Sequence, residues 1–264
     1  MELCSIASGS SGNCIYVGTE QTKLLVDAGI SKKRIVEGLL SIGVEPEEIK
    51  GIFITHEHSD HVSGLGVLSR KYHIPIYGTK ETLASIQTMK NLGEIEMSLF
   101  HPIVPDEAIY IDELKVNPFS ISHDASNPVC YTFEYENSKV GVATDLGTYD
   151  DYIISQLEGC EALLLEANHD INMLQVGAYP YVLKRRILGD KGHLSNDNSG
   201  RLLCDLIRSG LKYIFLGHLS KENNYPELAY ETVKYELEQK GILPSEDITI
   251  WVAKRDQPSK LVSI

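Results

Sequence analysis

Between Ile52 and His61 the chain reads Ile-Phe-Ile-Thr-His-Glu-His-Ser-Asp-His, with three imidazoles and two acids in six residues at the end of an apolar run. Residues 51–55 are apolar and β-branched, the pattern of a short buried strand, so the histidines fall at a strand's carboxyl end. On extended or turning backbone, side chains two residues apart point the same way. His56 and His58 therefore face one site, while Asp60 and His61, beginning the next turn, can face a second. The layout predicts two metal ions. Gly64 and Gly66 are expected to let the chain turn tightly into the next element. A polar loop is the reading for one isolated histidine, but five metal-competent side chains in six positions point to ligands.

The rest of the chain alternates strand and helix signals. Residues 3–7, 14–18 and 23–27 read as short strands, the first two joined by Ser8-Gly9-Ser10-Ser11-Gly12-Asn13, which suits a hairpin turn or a backbone cradle for phosphate. Ser31 reads as the N-cap of a helix to about Leu40, with Ile35, Val36, Leu39 and Leu40 on one face and Gly43 past its end. Helical spacing recurs at 62–72, 82–89, 152–157, 181–188, 198–208 and 226–239. Strand patterns fall at 74–77, 109–111, 114–116, 119–121, 131–135, 139–143, 162–165, 213–216, 248–253 and 260–262. Nothing marks a linker. The order predicts one α/β domain over residues 1–264, and 42% hydrophobic content is ample for its core.

Three further residues end apolar strands: His123 after Ser120-Ile121-Ser122, Asp145 after Val142-Ala143-Thr144, and His218 after Phe215-Leu216-Gly217. Alone, each is an ordinary loop residue. Gly-His-Leu-Ser occurs twice, at 192–195 and 217–220, and only the second copy follows a buried strand. The first precedes a helix that Ser195 or Asp197 can cap, where exposed N–H groups and a mobile imidazole suit an anion. His218 is accordingly expected on metal and His193 on substrate, with a structural hydrogen-bonding role as the alternative for His193.

The run His56-x-His58-x-Asp60-His61 matches the HxHxDH signature in full, and the chain resembles the metallo-β-lactamase superfamily. The resemblance spans essentially the whole chain and implies an αββα sandwich, two mixed β-sheets with helices outside and metals at one edge. It implies that His56, His58 and His123 bind one ion, Asp60, His61 and His218 the other, and that Asp145 bridges them. Such mixed ligation suits Zn²⁺, Mn²⁺ or Fe. True β-lactamases ordinarily place a cysteine on the second zinc, so antibiotic hydrolysis is not expected. Only 73 positions separate Asp145 from His218, which leaves no room for the helical insertion of β-CASP nucleases.

Ala143-Thr144-Asp145-Leu146-Gly147, Leu164-Leu165-Glu166-Ala167-Asn168-His169-Asp170 and the two Gly-His-Leu-Ser segments most resemble the YycJ/WalJ/VicX group. That resemblance implies a nuclease, a 5′-to-3′ DNA exonuclease, in which a metal-bridging hydroxide attacks phosphorus. Asp60 would orient the hydroxide, and His193 would stabilise the phosphorane or protonate the leaving oxygen. Glu166, Asn168 and His169 are expected to orient ligands. Hydrolysis of a small ester, thioester or cyclic phosphodiester is one alternative. Another is a non-catalytic regulatory module, because the group is associated with two-component signalling.

A nucleic acid substrate must contend with a formal net charge of −13. Lys184-Arg185-Arg186, with Lys191 beyond, is a dense basic stretch leading into His193 and is expected either to hold flanking phosphates or to form a solvated helix face. The five scattered cysteines, without a CxxC pair, suit reduced buried thiols. No basic leader with an apolar core and no long apolar run is seen, so a cytoplasmic protein with no membrane partner is expected.

Overall fold

The computed structural model describes residues 1–242 and 248–264. Its first half runs β1 (Glu2–Ala7), β2 (Cys14–Gly18), β3 (Lys23–Val26), α1 (Lys32–Ser41), β4 (Ile49–Phe53), α2 (Ser59–Val62), α3 (Leu65–Tyr72), β5 (Ile76–Thr79), α4 (Lys80–Gln87) and β6 (Phe100–Ile103). The second runs β7 (Ile109–Ile111), β8 (Leu114–Ser120), β9 (Val129–Tyr135), β10 (Ser138–Ala143), α5 (Asp151–Leu157), β11 (Ala162–Glu166), α6 (Ile171–Val176), α7 (Tyr181–Leu188), α8 (Asn196–Ile207), β12 (Tyr213–Gly217), α9 (Pro226–Gln239), β13 (Thr249–Val252) and β14 (Val262–Ser263).

Two seven-stranded mixed sheets result, in the orders β14-β1-β2-β3-β4-β5-β6 and β13-β12-β11-β10-β9-β8-β7. Each joins antiparallel strands to a parallel run: β3 to β6 in one, β10 to β13 in the other. The central parallel strand β11 is covered on both faces and reads as an unbroken apolar run, Ala-Leu-Leu-Leu. Between the sheets lie Leu3, Val17, Phe53, Tyr131, Phe133, Leu164 and Phe215. Separate apolar clusters bury Ile35, Leu68 and Leu83 outside the first sheet, and Leu157, Leu203 and Val233 outside the second. The architecture is the αββα sandwich.

Phe53 anchors the strand that feeds the histidine run. Its ring stacks on Tyr77 at 4.6 Å and meets Tyr131 edge-on at 5.4 Å, and Tyr131 donates its hydroxyl to the Ile54 carbonyl at 2.6 Å. The loop after β4 thus starts from a point fixed by both sheets.

Several local expectations are corrected. The helix expected over 62–72 is broken: α2 ends at Val62 and α3 starts at Leu65. Gly64 does sit in the turn between them, with an ordinary φ of −91°, whereas Gly66 lies inside α3. A Cβ on Gly64 would sit 1.9 Å from the Ile30 carbonyl oxygen and one on Gly66 2.0 Å from that of Leu92, so close backbone approach is what requires them. Leu40 is 47% exposed, and Gly38 takes its place on the buried face of α1, against Ile6.

Residues 114–120 form one strand through Pro118. This is tolerated because β7 pairs only as far as Val116; beyond it the Pro118 carbonyl accepts from the Asp106 amide at 2.8 Å, and no ladder there calls for a proline N–H. Neither β6, polar and proline-containing, nor the six-residue α6 had a periodic signal long enough to read. Ser195 rather than Asp197 caps α8 through the Asn198 amide. All five cysteines are buried and unpaired. No helix among the described residues is long and apolar enough to cross a membrane.

Candidate metal centre

The ligand candidates gather where strands of both sheets end. His56, His58, Asp60 and His61 follow β4, His123 follows β8, Asp145 follows β10 and His218 follows β12. Asp145 and His218 take left-handed φ values of 59° and 53°, and so does Asp27, the residue after β3, at 61°. Such backbone costs on the order of 1–3 kcal/mol for a non-glycine residue and persists where the surroundings over-determine it. Here the surroundings are hydrogen bonds. The His218 amide donates to Ser8 Oγ at 2.8 Å, and the Asp27 amide to the Phe53 carbonyl at 2.9 Å.

Two trios face each other. His58 Nδ1 lies 3.0 Å from His56 Nε2 and 3.3 Å from His123 Nε2. On the other side, Asp60 Oδ2 lies 3.5 Å from His61 Nε2 and 3.6 Å from His218 Nε2. Asp145 stands between them. Its Oδ1 is 3.6 Å from His123 Nε2, and its Oδ2 is 3.2 Å from His61 Nε2 and 3.1 Å from His218 Nδ1.

The outer ring nitrogens of His56, His61, His123 and His218 are engaged by the protein, which marks the other nitrogen as the one facing inward. His123 Nδ1 donates to the Gly192 carbonyl at 3.0 Å, and His61 Nδ1 to Asp27 Oδ2 at 2.7 Å. Thr55 Oγ1 donates to Asp27 Oδ2 at 2.9 Å and is left to accept from His56 Nδ1 at 3.0 Å. Thr144 Oγ1 donates to Asp145 Oδ2 and accepts from His218 Nδ1, both at 2.7 Å.

The Nε2 lone pairs of His56 and His123 therefore converge on His58 Nδ1, which has at most one proton to offer both. Buried lone pairs aimed at one point, with the outer nitrogens of both His56 and His123 satisfied, fit a divalent cation.

Electrostatics agree with a site built for cations. Burial alone would raise the Asp145 carboxyl, but the adjacent His218 and His61 hold it well below the usual range. Burial and the neighbouring His61 push His56 well down. Burial would also lower His61, yet Asp145, Asp27 and Asp60 hold it well above its ordinary value. A bound dication reverses that last balance, because a ligating imidazole must be neutral.

His193 sits beside this cluster, outside both trios. Its Nδ1 is 2.7 Å from Glu166 Oε1 and 3.5 Å from Asp145 Oδ1. Glu166 is fully buried at the end of β11, and its other oxygen accepts from the Leu146 and Leu194 amides at 2.9 and 3.1 Å. The expected mobile imidazole is thus corrected to a held one. Burial would lower His193, but Glu166 pushes it up to about 9. The first Gly-His-Leu-Ser copy serves the site twice, since its Gly192 carbonyl also orients His123.

The expected basic patch is divided. Lys184 donates to the Gln175 and Gly177 carbonyls and so ties α7 to the end of α6. Arg186 is paired with Asp124, the residue after His123. Arg185 is exposed on α7, and Lys191 lines a cleft of about 470 Å³ that reaches His123.

Asn168 donates its side-chain amide to the His218 carbonyl at 2.9 Å, an orienting contact. His169 is buried with neither ring nitrogen partnered, and burial lowers it to about 4.

Sequence reading missed Asp27, Thr55, Thr144 and Asn13. Asn13 carries its side-chain amide to within 3.2 Å of His61 Nε2. Asp27 carried the signal that singled out Asp145, an acid ending an apolar strand, but was absorbed into the strand itself. The other three are small polar residues, common in any loop.

The beta-lactamase superfamily domain matches residues 22–214. Exodeoxyribonuclease YycJ of Bacillus anthracis is 38% identical over 256 residues, covering 97% of this chain and 96% of that protein. Exodeoxyribonuclease WalJ of Streptococcus pneumoniae serotype 2 is 39% identical over 259 residues, covering 98% and 96%. Among solved structures, Zn²⁺-bound PqqB from Methylobacterium extorquens superposes with a TM-score of 0.71 at 16% identity, covering 98% of this chain and all of that one, a likeness of fold.

Proposed function

The chain belongs to the metallo-β-lactamase superfamily, and from that membership we propose that it is a metal-dependent phosphodiester hydrolase acting on nucleic acid, an exonuclease on DNA. The observation that carries the reading is the division of the Asp145 carboxylate, one oxygen toward His123 Nε2 and the other toward His61 Nε2. A carboxylate so divided can serve two ions at once. His56, His58 and His123 would hold one, and Asp60, His61 and His218 the other. The full-length relatives named as exodeoxyribonucleases support the choice of substrate.

When bound, divalent ions supply Lewis acidity that brings the pKa of water from about 15.7 toward 7 and offsets charge on phosphoryl oxygens. The chain's own groups do the rest. Asp60, with its side chain 23% exposed where Asp145 is at 2%, accepts a hydrogen bond from the attacking water and orients it. Glu166 fixes His193 with Nδ1 protonated, so Nε2 is the nitrogen turned to the substrate. As an imidazolium, His193 donates from Nε2 to a phosphoryl oxygen or to the leaving oxygen, and the Glu166 carboxylate stabilises that charge. Proton donation of this kind contributes roughly 10²–10⁴-fold.

The test is a substrate panel of single-stranded DNA, duplex DNA, RNA and small esters and thioesters, with metal-loaded and chelator-treated protein. Chelator-sensitive shortening of DNA from one end supports the reading. Turnover confined to small esters, or metal binding with no hydrolysis at all, overturns it.

A further inference from the structure

A nuclease must hold the strand on either side of the bond it cuts, and a chain of net charge −13 needs local cations to do so. Two of the four residues expected to form such a patch, Lys184 and Arg186, are committed within the protein. A second group of cations, scattered in sequence, lines a cleft of about 660 Å³: Arg34 from α1, Lys221 from the loop after β12, and Lys254 and Arg255 from the segment after β13. None of the four has a carboxylate partner among the described residues. Asp256 is the acid on the wall.

The cleft adjoins the metal-ligand cluster. Leu219 and Ser220 on its floor directly follow His218, at most about 7 Å of chain away. Ser11, on its rim, belongs to the loop that ends in Asn13, whose amide reaches His61. Arg34 and Arg255 build the wall: Arg34 donates to the Arg255 carbonyl, and Arg255 donates to the Leu219 carbonyl and to Ser10 Oγ. Lys221 and Lys254 are exposed and can follow a flexible ligand. Tyr225, 49% exposed, adds a ring to the same lining.

Cations track a phosphate backbone, whereas an exposed ring next to them is useful only to a base free to leave its neighbours, which a duplex does not offer. We propose that this cleft holds the single-stranded nucleic acid flanking the scissile bond, with backbone phosphates on Lys221 and Lys254 and a base stacked on Tyr225. The proposal rests on the nuclease reading and adds to it the path and strandedness of the substrate.

The test uses the metal-loaded full chain, its Lys221→Ala/Lys254→Ala double variant and Tyr225→Ala. The substrates are a single-stranded DNA 20-mer, its duplex, a matched RNA strand and bis(p-nitrophenyl) phosphate, which carries no second phosphate and no base. On whichever strand the unaltered protein cuts, the double variant is expected to raise KM about tenfold or more. It should also flatten the dependence of log KM on log salt by about 1.4, for two lost phosphate contacts at about 0.7 each. Tyr225→Ala is expected to raise KM roughly 5- to 100-fold with the salt slope retained. Each loss should exceed any loss on bis(p-nitrophenyl) phosphate by about fivefold or more. Unchanged KM and slope on a strand that is cut, or equal losses on strand and small diester, overturn the cleft alone. Cleavage of duplex DNA but of neither single strand overturns the cleft alone, and turnover of the small diester with no cleavage of single strand or duplex by the unaltered protein overturns the nuclease reading itself.

Discussion

Asp27 Oδ2 lies 2.7 Å from His61 Nδ1, and neither side chain is exposed to solvent. The carboxylate also accepts from the Thr55 amide and hydroxyl, both at 2.9 Å, so it fixes the His61 ring and the start of the ligand loop together. Carboxylates behind ligating histidines typically contribute 10- to 100-fold in metal affinity. Asp27→Ala is expected to weaken one ion by about that factor while the His56, His58 and His123 side retains its own. Titration calorimetry with Zn²⁺ should then show one tight and one weakened site. Two unchanged sites would remove Asp27 from the metal centre.

The two Gly-His-Leu-Ser copies are expected to give different phenotypes. His218→Ala should lower the metal content measured by elemental analysis as well as activity. His193→Ala should keep both ions and lose roughly 10²–10⁴-fold in kcat. Combining Glu166→Gln with His193→Ala should add little to the single His193 loss in kcat, because Glu166 acts on the substrate through that ring. If His193→Ala strips an ion while His218→Ala spares both, the two roles are exchanged.

Phe53 joins the sheets directly beneath the ligand loop. Truncation to alanine leaves a cavity among Tyr77, Tyr131 and Phe133, and such changes cost about 3–5 kcal/mol. Denaturant unfolding of the metal-free protein should show a loss of that size. A loss below about 1 kcal/mol would mean that the sheets close around the gap.

His169 is buried without a partner on either nitrogen and is lowered to about 4 by burial, with His193 adding to the effect. Its folded form therefore binds a proton less readily than its unfolded form, for which the ordinary value is about 6.5. Stability from the neutral ring is complete above the unfolded value and declines as pH falls from about 6.5 toward 4, by on the order of 3 kcal/mol. His169→Leu should remove that part of the acid sensitivity. Parallel curves for the metal-free protein and its variant between pH 7 and 4.5 would show that His169 finds a partner in solution.

The strand ends and the residues that gather there were legible for the same reason. Parallel strands buried on both faces must be written in apolar residues, and a polar residue at the end of such a run then stands out, as Asp145 and His218 do; His123 follows the antiparallel β8, where only the local Phe119 to Ile121 pattern marked it. Helix boundaries were less legible where packing overrode periodicity. The break at Gly64 follows from the approach of the Ile30 carbonyl, and the burial of Gly38 instead of Leu40 from its contact with Ile6. The six-residue α6 is too short for its spacing to be read.

Residues 52–61, by themselves, determined that this chain carries a clustered set of imidazole and carboxylate donors, since six consecutive positions need no tertiary structure to be neighbours. The partners of these and the later histidines were decided only by the tertiary fold. Asp27 and His61 are 34 residues apart, Glu166 and His193 27, and Ser8 and His218 210. Arg34 and Arg255, on one wall, are 221 apart. The sign of a charge can be read from the chain, but whether it is paired within the protein or left facing a cleft depends on which loops the packing of the sheets brings together.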